Sequence, residues 1–232
     1  MEFYPNPGKK LKAIVEKDEW LRYPIKTHFI KIGESLEKII EDYVLPFVKD
    51  SDIIVLCQKI VSLSQKRVIR KKDLKVGFWA KFLSRFAIKT PYGFSVGNPS
   101  KMQVAINLAG LPRILFACAL SAFLKLFRIS GIFYKVAGHQ ISQLDGFYGE
   151  AFPQYSDIGI LGSKDNNILC DNLRKKYNLS FLIADVNDLG GHILGASQDL
   201  RGKEKIFFEI LKDNPAGQSN QQTPIIIIRK NA

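Results

Sequence analysis

Four consecutive isoleucines, residues 225–228 in the stretch "TPIIIIRK", constrain the fold of this chain more than any other feature. β-Branched side chains lose rotamer freedom in a helix and pack well on a pleated sheet. The run therefore reads as a strand. Because it does not alternate with polar residues, it reads as one buried on both faces. Pro224 marks its start, where a missing N–H costs the ladder least. Two further apolar runs have strand length: "DIIVLC" at 52–57 and "LSFLIAD" at 179–185.

Between these runs the elements can be read coarsely. "KLKAIVEK" and "IKTHFIKI" read as strands, the second from its alternation. "GESLEKIIEDYVLPFVK" places Ile39, Ile40, Tyr43 and Val44 at helical spacing, with Ser35 as N-cap and an incomplete capping box, since Lys38 stands three residues on. "DLKVGFWAKFLSRFA" reads as a second amphipathic helix. "KTPYGFSVGNPSKM" reads as a loop, and an apolar helix is expected from about Leu111 to Phe127. A glycine-punctuated stretch follows to Pro153. "DIGILG" reads as a strand, "DNNILCDNLRKKY" as a helix, "LSFLIADVNDLGGHILGAS" as strand, turn and strand, and "EKIFFEILKD" as a short helix. Strands and helices follow no regular βαβ cycle, so the expected class is α+β, with mixed or antiparallel sheets and packed helices. The chain reads as one unit over 1–232, or as two lobes with a soft boundary near 150.

The charge is unevenly placed. The net charge is +12, and residues 53–135 hold 15 Lys or Arg against one acid, Asp73. From residue 151 onward there are 10 basic and 9 acidic residues. A one-sided positive field attracts polyanions: nucleotides, acidic metabolites, nucleic acid or anionic lipid. The plainer alternative is a solubilising face. No nucleic-acid fold signature or basic-aromatic stacking pattern is present, so no nucleic-acid partner is expected. The longest apolar run, "ILFACALSAFL", has 11 residues, against about 20 needed to span a bilayer, so no integral membrane segment is expected. "LKLFRISGIFYK", which continues it with regularly spaced cations, keeps a membrane-surface role among the alternatives. Three dispersed cysteines in apolar surroundings, and an N-terminus without an apolar h-region, suit a cytoplasmic protein with reduced, buried thiols.

Motifs for phosphate loops, dinucleotide folds, zinc proteases and nucleophile elbows are missing, and His28, His139 and His192 do not cluster in sequence. Four stretches carry candidate chemistry. In "LCQKIV", Gln58 and Lys59 follow the strand: either the chain leaves the core there, or the strand end delivers an amide and an ammonium to a ligand. In "LIADVNDLGG", Asp185 ends a strand, with Asn187 and Asp188 in the turn. Such oxygens can hold a hard cation such as Mg²⁺, or merely close an Asx-type turn. "NPAGQSNQQTP" surrounds one glycine with amides and hydroxyls, fit for a phosphate or a base, or for an ordinary polar loop. "TPYGFSVGNPS" offers glycines, Asn98 and two rings, Tyr92 and Phe94.

Taken together, these stretches resemble the gamma-glutamyl ligase family that elongates the deazaflavin coenzyme F-420. Its members use GTP and a divalent metal, Mg²⁺ or Mn²⁺, to join glutamate to the coenzyme precursor. The resemblance runs from about Thr27 to Arg229 with a divergent middle. It implies a gamma-glutamyl ligase-like fold, a homodimer and an acidic small-molecule substrate. "THFIKIGESL" is similar to the early nucleotide-contacting loop, which implicates Thr27, His28, Phe29 and Ile30. Gln58 and Lys59 inherit GTP contacts, Lys59 with a catalytic role, and Asn98 sits in the glycine-asparagine loop. Asp185 matches the catalytic, metal-binding aspartate, with Asp188 as a further metal ligand. Gly217, Gln218, Ser219, Asn220, Gln221 and Thr223 match the C-terminal nucleotide loop, where Gln218 is metal-linked. The chain departs from the pattern at Leu63 (a lysine in the family), Met102 (a metal-binding aspartate), Val186 (a hydroxyl residue), and Asn220 with Gln221 (an acidic pair). These losses suit a divergent ligase, or a non-catalytic nucleotide or metabolite binder on the same scaffold.

Overall fold

The structure is a computed structural model and describes residues 3–87, 96–129, 131–147, 153–188, 190–217 and 221–231. In chain order the elements are β1 (Lys12–Val15), β2 (Asp18–Ile25), α1 (Leu36–Tyr43), β3 (Ile53–Cys57), α2 (Gln58–Ser64), β4 (Val68–Arg70), α3 (Phe78–Ser84), α4 (Pro99–Ala109) and α5 (Leu111–Lys125). There follow α6 (Ile132–Ala137), α7 (His139–Ser142), β5 (Asp145–Gly146), β6 (Ile158–Ile160), α8 (Asn166–Tyr177), β7 (Ser180–Asn187), β8 (Gly190–Ala196), α9 (Glu204–Leu211) and β9 (Ile225–Lys230). The class is α+β. The chain forms two compact units, one of Met1–Lys66 with Ser163–Ala232, the other of Arg67–Gly162. The second is thus an insertion into the first, with two crossings at 66/67 and 162/163 in place of one boundary near 150.

In the first unit the described residues form a six-stranded sheet in the order β1-β2-β9-β3-β7-β8. The isoleucine strand β9 is central and runs antiparallel to both β2 and β3, while β3 and β7 are parallel. Its side chains divide between the two faces. Ile226 and Ile228 join Ile53, Val55, Leu182 and Ala184 in a core closed by Phe207, Ile210 and Leu211 of α9. Ile225 and Ile227 lie opposite Leu56 and Ile54, on the face of Phe181 and Ile183. There α8 brings the Tyr177 ring to 6.3 Å from Phe181 and its hydroxyl to 2.9 Å from Glu41 of α1. A buried ion pair ties β9 to the start of β3: Arg229 donates to both carboxylate oxygens of Asp52, at 2.7 and 2.6 Å.

One strand is shifted from its expected place. Residues 26–32 leave the sheet, and the strand is Asp18–Ile25. Glu16 and Lys17 both have positive φ, the signature of a tight hairpin, so β1 pairs with Asp18 to Leu21. Beyond Ile25 the Thr27 N–H donates to the Gln222 carbonyl, and the Gly33 N–H to that of Leu63. The alternation in "THFIKI" is therefore not a sheet pattern. Pro24 lies past the stretch paired with β1, where a missing donor is tolerated.

The second unit packs helices around a core that includes Ala80, Leu83, Met102, Ala105, Ile114 and Ala117. It also holds a small sheet in the order β4-β6-β5. Helix α4 replaces the end of the expected loop. Asn98 caps it by accepting from the Ser100 N–H at 2.8 Å, and Pro99 occupies the first turn, where no N–H is needed. At this unit's stem, Val68 pairs with Ile160 and the Leu161 N–H donates to the Arg67 carbonyl. In the first unit, the Gln65 side chain makes two hydrogen bonds to the Lys164 backbone.

Candidate functional site

The topology of the first unit brings four of the sequence-predicted stretches to one end of its sheet. β3 and β7 are parallel and in register, Cys57 beside Ala184, so both deliver their carboxyl ends there. β9 runs the other way and begins there, with Ile225 beside Leu56, and β2 ends there, with Ile25 beside Ile225. Backbone bonds stitch the tips together: Thr27 N–H to Gln222 and Cys57 N–H to Pro224, each 2.9 Å. Thr27, Gln58, Lys59, Asp185, Gln221 and Thr223 therefore emerge at the same edge. The carboxyl ends of parallel strands are where open sheets bind ligands.

No loop separates β3 from α2. Cys57 is the N-cap, and Gln58 already belongs to the helix. This resolves the odd polar pair after the apolar run: the chain turns from strand to helix inside one residue step. Gln58 is 6% exposed, and its Nε2 has no hydrogen-bond partner among the described residues; the same holds for Gln221 Oε1 and Asn214 Oδ1. An unsatisfied buried amide costs about 1–3 kcal/mol. Such groups are rare in folded proteins and point to a ligand or ordered water. Lys59, half-buried, follows in the first turn of α2.

The polar loop before β9 is clamped by the N-terminal segment, which the sequence reading left without a role. Asn6 Nδ2 donates to the Pro215 carbonyl at 2.8 Å and to Thr223 Oγ1 at 2.9 Å; the Thr223 hydroxyl in turn donates to Ala216 at 2.6 Å. Gly217 has φ +71°, where a side chain would be strained, and a Cβ there would crowd the Asn6 side chain at 3.2 Å. Asp188 belongs to the same clamp. Its Oδ1 accepts from Lys9 Nζ at 2.7 Å and from Asn214 Nδ2 at 3.0 Å. Both partners are distant side chains, so these bonds are not those of an Asx-type turn. Gln218, Ser219 and Asn220 lie outside the described residues, as do Tyr92 and Phe94.

Asp185 lies across from His192 on β8 and, by strand alternation, on the face of Ile183. Gly191 permits this close pairing, since a Cβ there would fall 2.2 Å from the Asp185 carbonyl oxygen. Val186 points the opposite way and packs against the α9-side core. A cavity of about 30 Å³ lies on that side, between Val55, Cys57, Ala184, Val186 and Pro224; it is large enough for about one water. Among the described residues no group of three or more His, Cys, Asp or Glu gathers to hold a metal. The donor set fits a divalent ion only in the Mg²⁺ manner, one carboxylate with phosphate oxygens and water completing the shell. Two of the departures from the family pattern are sealed in. Met102 and Leu63 are both fully buried among apolar side chains, so neither position can supply a ligand.

His28 is held in a local chain. Its Nε2 lies 2.7 Å from Glu34 and its Nδ1 2.8 Å from the Tyr43 hydroxyl. Phe29 is half-buried and Ile30 buried. Asn98, in the second unit, uses both ends of its side chain locally, capping α4 and donating to the Phe147 carbonyl at 3.2 Å.

Residues 24–120 match the family model described as F420-0:Gamma-glutamyl ligase. The family resemblance read from the sequence holds there. The ligase-family match takes in the end of β2, the strand-to-helix step at Gln58 and the chain as far as α5, under half of the 232 residues. It supports a ligase-like function. Asp185 and the loop before β9 lie beyond it, and enter the site through the topology that sets β7 and β9 beside β3. No curated protein matches the chain.

Proposed function

We propose that this protein is a GTP- and divalent-metal-dependent amide ligase of the gamma-glutamyl type, joining an amino acid to a carboxylate of an anionic small molecule. The observation that carries the reading is the buried Gln58 Nε2 at the sheet end, without a hydrogen-bond partner among the described residues, where Thr27, Lys59, Asp185 and Thr223 also emerge. Gln58 donates to a phosphate or base that replaces its missing partner, and Lys59 supplies a point charge to the phosphates. The substrate carboxylate attacks the terminal phosphorus, the nucleoside diphosphate leaves, and the incoming amine displaces phosphate from the acyl phosphate as the amide forms. Asp185 would hold a divalent ion, which would supply charge neutralisation to the phosphate oxygens. The net charge of +12 favours anionic substrates, and a homodimer is the assembly that the resemblance implies.

Titration calorimetry with GTP, and with ATP, in the presence of Mg²⁺ tests the reading. Binding is expected for at least one nucleotide, weakened about tenfold by Lys59→Ala through loss of a phosphate charge. A folded chain that binds neither overturns it. The burial of Met102 and the engagement of Asp188 favour a second reading, a non-catalytic nucleotide binder. Amide product that disappears with Asp185→Ala would exclude that one.

A further inference from the structure

The second unit displays aromatic side chains that its own core does not use. Phe78, Trp79 and Phe82 of α3 and Phe86 just beyond it form a continuous ladder, with ring centroids 5.2–6.2 Å apart between neighbours. Phe78 is 70% exposed and Phe86 74%. At the end of α5, the rings of Phe123 and Phe127 lie 5.5 Å apart, tilted by 60°, and Leu126 beside them is 79% exposed. Exposed apolar groups scattered singly need no explanation, but rows of touching rings mark an interaction surface.

The surrounding charge decides what that surface meets. Lys75, Lys81 and Arg85 are exposed around the α3 ladder, and Lys125, Arg128 and Lys135 around the end of α5 and along α6. A two-fold interface with another copy would bring the same patch onto itself and set these cations against one another. An anionic lipid surface satisfies both features, taking the rings into the acyl boundary and the cations to phosphate oxygens. Among the described residues no single helix is long and apolar enough to cross a bilayer, and the α4–α5 pair, which together has the length and composition, is bent by 117°. Exposed rings flanked by cations fit lying on a membrane surface.

We propose that the second unit docks the protein onto anionic membranes through the α3 ladder and the aromatic end of α5. The test is flotation of the full chain with vesicles of equal parts phosphatidylcholine and phosphatidylglycerol, against phosphatidylcholine alone. The protein is expected to float with the anionic vesicles only. In a Trp20→Phe background, Trp79 emission should shift to the blue and be quenched by bromine on the acyl chains. Phe78→Ser with Phe86→Ser, and separately Lys81→Glu with Arg85→Glu, should each lower partitioning by about tenfold or more, with circular dichroism unchanged. The proposal is overturned by absence of flotation, or by flotation and Trp79 emission that the serine pair leaves unaltered, which would mean simple polyanion attraction. It is equally overturned if the serine pair dissociates a lipid-free dimer in sedimentation, which would make the face a contact between copies.

Discussion

Cys170 illustrates how position governs a single side chain. It lies fully inside the first unit, and burial pushes its thiol up to about 12, with the neighbouring Asp171 adding to the shift and Arg201 opposing it. Below the ordinary value of 9.0 the thiol is neutral whether the chain is folded or not, so its contribution is constant. As pH rises from there towards about 12, the unfolded chain releases the proton and the folded chain retains it, so stability falls across that window. Urea titrations over this range should show the loss, and Cys170→Ala should flatten it. Polar residues were legible in the sequence where they end an apolar run, as Gln58 and Asp185 do. Asn6 was not, because its partners Pro215 and Thr223 lie more than two hundred residues away. "YPNPG" announces a turn and nothing about what the asparagine touches. Asp188 was ambiguous for the opposite reason: a carboxylate in a turn suits a cation equally well as a metal ion or as the ammonium of Lys9.

At the scale of elements, β-branched runs announced β3, β7 and β9 because no helix accommodates them as well. The Asp52–Arg229 pair shows what local pattern misses. Asp52 reads as a polar residue leading into a strand, yet its side chain is fully buried, accepting two bonds from Arg229 and one from the Lys49 N–H at 2.8 Å. The same contact holds the Arg229 guanidinium above its ordinary range, the Asp52 hydrogen bond being the largest cause. Asp52→Ala removes one partner and strands the other, so it should cost about 3–5 kcal/mol in urea unfolding; a loss below about 1 kcal/mol would mean that Arg229 finds water instead. Helix α4 was hidden by its own start. Gly97-Asn98-Pro99 reads as a loop until the Asn is recognised as a cap and the Pro as a first-turn residue.

For the whole molecule, the insertion of one unit into the other was not legible. Charge falls off near residue 150, but connectivity is set by which strands pair, and β3 meets β7 across the entire second unit. Each unit has a core of its own, one around Leu182 and Phe207, the other around Met102 and Ile114. Calorimetric unfolding should therefore depart from two-state behaviour, with amides of the second unit exchanging at a different opening free energy from those of β9. A single transition with matching calorimetric and van't Hoff enthalpies would contradict this.

The paired stem of the inserted unit bears on the order in which the protein acquires its structure. Ile53 and Ser180 are sheet neighbours separated by more than a hundred residues, and bringing them together from an open coil is slow. Once Val68 pairs with Ile160 and Leu161 with Arg67, the intervening chain is closed at its base. The search that then joins β3 to β7 runs over a short tether. Early collapse of the insertion would thus act as an internal template for the sheet that carries Gln58 and Asp185, and damage to the stem would delay assembly of that sheet.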